Sequence, residues 1–265
     1  MERVFQPAED FRIGRVISRL LDVLIANPGV VTQLAVVLMS PMLALGLFTL
    51  FLPEVAGMDA LNQMLSGAEG RYAVTAILKV LAYVMASYLL LASVTQLVVA
   101  HFGGERPNFM SCLSVARRSF FPLMLIGILH LLGSLLGIIL LLVPGLILMC
   151  MWIVVVPARA IENTGIIESF SRSRSLTKDH RGAVFLLILM YLTFALGTAL
   201  AVRPLMGVSI LRPQLGQITI AFTVMEWLEH VVAYTLAATL WACLYYELRL
   251  VKEGIGAQQM AAAFD

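Results

Sequence analysis

Charge is scarce in these 265 residues. Asp, Glu, Lys and Arg make up 13% of the chain and apolar residues 60%, against about 25% and 45–50% in soluble domains. With a mean hydropathy of +0.93, the chain has too little polar surface for a water-soluble globule of this length. Cysteine is sparse too. Cys112, Cys150 and Cys243 stand far apart with no CxxC or Cys/His ligand spacing, which argues against a disulfide framework and a metal-ligand set. No P-loop, dinucleotide fingerprint, HExxH or Ser/His/Asp constellation occurs, so neither enzyme chemistry nor a cofactor is expected. Residues 1–29 carry Arg3, Glu9, Asp10, Arg12, Arg15, Arg19 and Asp22 with no uninterrupted apolar stretch before Val30, unlike a cleavable signal peptide.

Long apolar runs fill the rest. Phe120 to Ala158 contains no Asp, Glu, Lys, Arg, Asn or Gln, is interrupted by Val143-Pro144-Gly145, and is flanked by Arg117-Arg118 and Arg159. As one helix it would measure roughly 58 Å at 1.5 Å per residue, almost twice a ~30 Å hydrocarbon core. A turn at Pro-Gly makes two helices that fit. The same reading gives six spans, at about 30–52, 72–100, 120–143, 145–158, 183–202 and 225–246. The inferred inner segments hold 14 Lys and Arg and the outer ones three, with Lys79 inside the second span. Both termini are therefore expected inside. The net charge of +2 says less than this placement.

The inner segments share a pattern. Phe11, Ile13, Val16, Ile17, Leu20, Leu21 and Leu24 recur at helical spacing opposite Arg12, Arg15, Arg19 and Asp22. Phe109, Cys112, Leu113 and Ala116 oppose Arg117 and Arg118. Ile166, Ile167, Phe170 and Leu176 oppose Arg172, Arg174, Lys178 and Arg181. The expected fold is all-α and polytopic: six transmembrane helices in three hairpins, each preceded by a basic amphipathic cytoplasmic helix. Residues 1–29 form the first of these helices and 30–265 the transmembrane domain. Arg12, Arg15, Arg19, Arg117, Arg118, Arg172, Arg174 and Lys178 are the expected contacts to anionic headgroups of the inner leaflet, a better match for such patches than nucleic acid.

Polar groups near the apolar runs are candidates for an intramembrane site, since ionisable groups there are costly and often mark ion paths. Glu226, Glu229 and His230 cluster at the start of the sixth span, with Arg203 and Arg212 as nearby counter-ions, and His130 lies mid-way along the third. The plainer reading places the first three at the outer interface and His130 in a bond to a neighbouring helix. Met149-Cys150-Met151 invites a soft-metal reading, but neighbours at successive helical positions diverge. Gly127, Gly133 and Gly137, with Ser134, form a small-residue face for close helix packing.

The segment "VPGLILMCMWIVVVPARAIENTGIIESFSRSRSLTKDH", beginning at Val143, resembles the YciC-like family of bacterial inner-membrane proteins. That family is related to the membrane domain attached to some glycerophosphodiester phosphodiesterases. The resemblance rests on Pro144, Gly145, Pro157, Glu162, Ser173 and Leu176, and "LYYELRLVKEG" at 244–254 is similar to the family's ending. It implies a polytopic inner-membrane protein. It does not imply phosphodiesterase activity, which in the two-part relatives belongs to a separate soluble domain. Glu162 is expected to pair with Arg159, Arg172 or Arg174 as a clamp between helix and hairpin. A non-enzymatic, lipid-associated scaffold or envelope assembly factor, with envelope proteins as partners, is the leading expectation. The alternative is a transporter or permease for a small solute, ion or lipid.

Overall fold

The computed structural model describes residues 10–50, 69–139, 142–205 and 220–254, and among them every regular element is a helix. In chain order these are α1 (Ile13–Ala26), α2 (Pro28–Leu50), α3 (Glu69–Phe102), α4 (Phe109–Ile139), α5 (Leu142–Trp152), α6 (Val155–Glu162), α7 (Ile166–Thr177), α8 (Arg181–Leu205) and α9 (Ile220–Glu253). Among the described residues six stretches are long and apolar enough to cross a membrane: Pro28–Phe48, Ile77–Phe102, Phe109–Gly133, Pro144–Glu162, Arg181–Val202 and Ile220–Glu253. The shortest, Pro144–Glu162, still reaches about 28 Å at 1.5 Å per residue. The protein is all-α and polytopic. Arg3 and Arg212 lie outside the described residues.

Each junction has a local cause. Asn27 closes α1, its backbone N–H and Nδ2 both donating to the Val23 carbonyl at 3.0 and 3.2 Å. Pro28 then opens α2 at the first helical position, where a missing N–H costs nothing. Pro144 and Gly145 do not form the expected turn. Both lie inside the first turn of α5, where proline needs no intrahelical partner. Gly145 serves close packing instead: a Cβ built on Gly137 of α4 would lie 2.9 Å from its Cα. The small-residue face divides between two neighbours. Gly127 meets Val84 and Tyr88 of α3, whereas Gly133 and Gly137 meet Trp152 and Gly145.

The fourth span is a broken helix. α5 ends at Trp152 and α6 begins at Val155. Pro157 explains the interruption, because in a continuous helix its ring would strike the carbonyl of Ile153. The break frees the Met151 carbonyl, which accepts a 2.7 Å hydrogen bond from the Ser173 hydroxyl of α7. Non-helical backbone at membrane depth needs such a partner.

Two expectations about the basic segments change. Phe109–Ala116 is not a separate helix. A buried stripe of Cys112, Val115, Ala116, Ser119, Leu123 and Ile126 runs without interruption, so one 31-residue helix carries it past Pro122. In α7 the inward face adds small polar residues to the expected Ile166, Phe170 and Leu176, which pack on the core. Ser169, Ser173, Leu176 and Thr177 are buried, while Ile167 is 82% exposed.

The core lies along α3 and α9, with α2 and α4 packed against α3. Every residue of α9 from Ala237 to Leu248 is buried. A helix enclosed on all sides is a central post rather than a wall. α8 is the opposite case: Val184, Leu187 and Ile188 face the bundle, and Leu186, Leu189, Met190, Leu192 and Phe194 are exposed.

Candidate functional site

The last turns of α9 carry Tyr245, Glu247, Arg249, Lys252 and Glu253, and helices outside the apolar cores of the spans close on them. From α1, Arg15 Nε lies 2.6 Å from Glu247 Oε1 and Arg19 pairs with Oε2 of the same carboxylate. Glu247 is 1% exposed. The Arg19 guanidinium also stacks 5.0 Å from the Tyr246 ring centroid and 5.6 Å from that of Phe102. Two cations thus compensate one carboxylate out of water, and the aromatic faces hold the Arg19 guanidinium in place.

A second carboxylate, Glu162 at the end of α6, joins three elements. It accepts from Arg172 Nε of α7 at 2.7 Å and from the Tyr245 hydroxyl of α9 at 2.8 Å, with Arg249 Nε at 3.7 Å. Arg172 reaches on to Glu253, which Arg249 also holds at 3.0 Å. Burial alone would lower the Arg172 pKa; its hydrogen bonds to Glu162 and Glu253 outweigh that and raise it. Lys252 Nζ donates to the Ser175 carbonyl at 3.0 Å and lies 3.2 Å from Asp179. Asn163, left-handed at φ 50°, turns the chain from α6 toward α7, where Glu168 accepts from the Gly165 N–H at 3.1 Å.

Smaller contacts complete the ring. His101 at the end of α3 bridges Asn27 at 3.1 Å and Asp22 at 3.2 Å. Phe11 stacks on His180, centroids 5.1 Å apart, tying the chain before α1 to the start of α8. Together these contacts form an ionic latch, in which α1, α6 and α7 are fastened to the end of α9.

The eight basic residues expected at headgroups divide accordingly. Arg12, Arg117, Arg118, Arg174 and Lys178 are exposed. Arg15, Arg19 and Arg172 instead turn inward to carboxylates. The motif residues all have structural work: Pro144 opens α5, Gly145 meets Gly137, Pro157 breaks the span, Ser173 bonds the break, Glu162 joins three helices, and Leu176 is 1% exposed. Glu247, Arg249, Lys252 and Glu253 are the participants that sequence reasoning missed. The spacing of Tyr245, Arg249 and Glu253 puts them on one helix face, which was the available signal.

The candidate intramembrane groups do not converge. His130 Nδ1 lies 2.8 Å from the Tyr88 hydroxyl, and its ring meets Trp152 edge-on at 5.8 Å. His230 packs between Tyr83 and Tyr234, centroids 5.0 and 5.9 Å away, and its Nδ1 is 2.7 Å from the Glu226 carbonyl of its own helix. Glu226 and Glu229 are half-buried on the same turns. Each histidine is thus held by its own aromatic neighbours.

Fold and site together define a polytopic α-helical membrane protein with a polar latch at one end of its bundle. Family models, curated proteins and solved structures were compared with the chain, and none of them matches it.

Proposed function

We propose that this chain is a non-enzymatic, multi-pass protein of the bacterial inner membrane, with both termini cytoplasmic. It acts as a lipid-associated scaffold or envelope assembly factor. The ionic latch is the observation that carries the reading. It fastens α1 and α7 to the bundle through Glu247, Glu162 and Glu253, building a firm basic surface where a channel or carrier would need a moving element. Arg12, Arg117, Arg118, Arg174 and Lys178 remain on the exposed surface, in keeping with amphipathic, headgroup-facing segments on the inner leaflet. The charge asymmetry of 14 against three supports the same sidedness. The exposed side of α8 suits acyl chains.

The test pairs two measurements on the full chain. In gently solubilised membranes, the wild type, His130→Ala and Glu226→Gln should migrate in one and the same assembly, larger than the free protein. In proteoliposomes, all three should pass protons and small ions no faster than protein-free vesicles. Flux that the wild type supports and both variants lose overturns the scaffold and establishes transport.

A further inference from the structure

At the end of the bundle away from the latch, α9 carries Glu226, His230 and Tyr234 at successive turns of one face. Tyr83 of α3 meets that face. Its ring centroid lies 5.0 Å from that of His230 and 6.3 Å from that of Tyr234, and the Glu226 charge acts on its hydroxyl. His230 Nδ1 donates to the Glu226 carbonyl at 2.7 Å, so in the neutral ring Nε2 is a bare acceptor. Among the described residues nothing bonds to that nitrogen, to the Tyr83 and Tyr234 hydroxyls or to the Glu226 carboxylate. All four residues are part-exposed, and none of these unbonded atoms is closed off from the surface.

Helix rise gives the level of this cluster. About 20 residues, or roughly 30 Å of helix, cross a hydrocarbon core. Counted back from Glu247 on α9 they reach Trp227, and from His101 on α3 they reach Leu81. Glu226, His230 and Tyr83 therefore stand near the headgroup boundary of the leaflet opposite the latch, where tyrosine is favoured. Lys79, one turn before Tyr83, forms no ion pair among the described residues. A carboxylate at the edge of an apolar phase is short of water and needs a donor. An organic ammonium uses what the cluster offers. Its N–H groups can donate to the carboxylate, the phenol oxygens and the imidazole nitrogen, and its charge is favoured beside aromatic rings. We propose that Glu226, Tyr83, His230 and Tyr234 form a binding site for a primary ammonium group. The ammonium is that of a lipid headgroup or of a soluble amine. The site deepens the lipid-associated part of the proposed function and rests on it for the lipid source.

The full chain in maltoside micelles provides the test. Native mass spectrometry counts bound phosphatidylethanolamine, and ethanolamine is added as competitor. Phosphatidylcholine is the comparison, because it keeps the phosphate and the positive charge but has no N–H to donate. Wild type should retain phosphatidylethanolamine in preference to phosphatidylcholine. Glu226→Gln should weaken that retention about tenfold or more, the loss of one charge-assisted hydrogen bond. Tyr83→Phe, which removes a neutral partner, should weaken it about threefold to tenfold. Glu229→Gln, a carboxylate change on the same helix outside the cluster, should match the wild type. Displacement by ethanolamine assigns the site to a soluble amine; retention without displacement assigns it to the lipid headgroup. Equal retention of the two lipids by the wild type overturns the site. So does equal retention of phosphatidylethanolamine by wild type, Glu226→Gln and Tyr83→Phe, an equal loss in Glu229→Gln and Glu226→Gln, or failure of both amines to bind. Tyr83→Phe carries the test should Glu226→Gln not fold. The flux and assembly measurements judge the scaffold separately, so either idea can fail alone.

Discussion

Glu162→Gln is the sharpest probe of the latch. The carboxylate accepts a charge-assisted bond from Arg172 at 2.7 Å and a second bond from Tyr245 at 2.8 Å, and it is only 15% exposed. A net hydrogen bond to a charged group contributes about 1.5–3 kcal/mol. Gln keeps one acceptor oxygen, which can still serve Tyr245, but it turns an NH2 toward the Arg172 donor. Arg172 retains Glu253, so the guanidinium is not orphaned and the loss stays below the 3–5 kcal/mol of a fully broken buried pair. The expected destabilisation is about 2 kcal/mol, within the range for one charged hydrogen bond. Reversible unfolding in mixed detergent–SDS micelles reads it. Tyr245→Phe in the same background should be non-additive, with a coupling of about 0.5 kcal/mol or more. A Glu162→Gln protein within about 0.5 kcal/mol of wild type, as for an ordinary surface change, and additive with Tyr245→Phe, would refute the clamp.

Other parts of the latch and bundle give separate expectations. Glu247→Gln leaves Arg15 and Arg19 facing a neutral group and should cost about 3 kcal/mol; hydrogen exchange in Ile13–Ala26 should rise, and unchanged protection there would disprove that the ion pair anchors α1. Ser173→Ala strands the Met151 carbonyl and should cost about 1–3 kcal/mol, read by the same unfolding titration, whereas Ser175→Ala should change little. Gly137→Ala drives a Cβ against the backbone of Gly145 and should cost about 1–3 kcal/mol as overpacking. Gly197→Ala, in open space, should be neutral or mildly stabilising.

The spans were legible because their signal is local. A charged group at mid-membrane is costly on its own account, so the absence of charge from Phe120 to Ala158 reports burial in lipid whatever the neighbours are. The joints were partly legible for the same reason. Pro28 opens a helix where its chemistry says it should. Pro144 and Pro157 exchanged roles, however: the proline marked for the turn starts a helix, and the one placed within the limb breaks it. Proline signals an interruption, but its position within the turn depends on which carbonyl finds another donor, and Ser173 on α7 decides that for Met151.

The latch was legible only in fragments, because an ion pair has no local signature. Arg15 and Glu247 are separated by 232 positions, and nothing in α1 distinguishes an arginine that meets a carboxylate from one that meets a headgroup. Periodicity alone placed Arg12, Arg15 and Arg19 on one side; in the structure Arg12 is exposed while Arg15 and Arg19 reach Glu247. The long arginine stem lets the guanidinium turn away from the direction its Cβ suggests. The reading of α7 was incomplete for a related reason: Ile166, Phe170 and Leu176 do meet the core, but so do serines. Serine counts as polar on a hydropathy scale, yet Ser169 satisfies its hydroxyl on the Gly165 carbonyl at 2.7 Å and so can be buried.

Charge compensation also separates the two kinds of polar group in this protein. Glu162 and Glu247 are each met by arginines from other helices and fix the relative position of α1, α6, α7 and α9. His130 and His230 are met by aromatic rings and bonded to a single hydroxyl or carbonyl, an arrangement that neutral imidazole satisfies. A transport path needs ionisable groups that exchange partners. A scaffold needs ionisable groups that keep them, and the short, shared contacts of Glu162 and Glu247 are of the second kind. Arg159 and Arg181 stand apart from this scheme, because buried guanidinium nitrogens of each have no hydrogen-bond partner among the described residues.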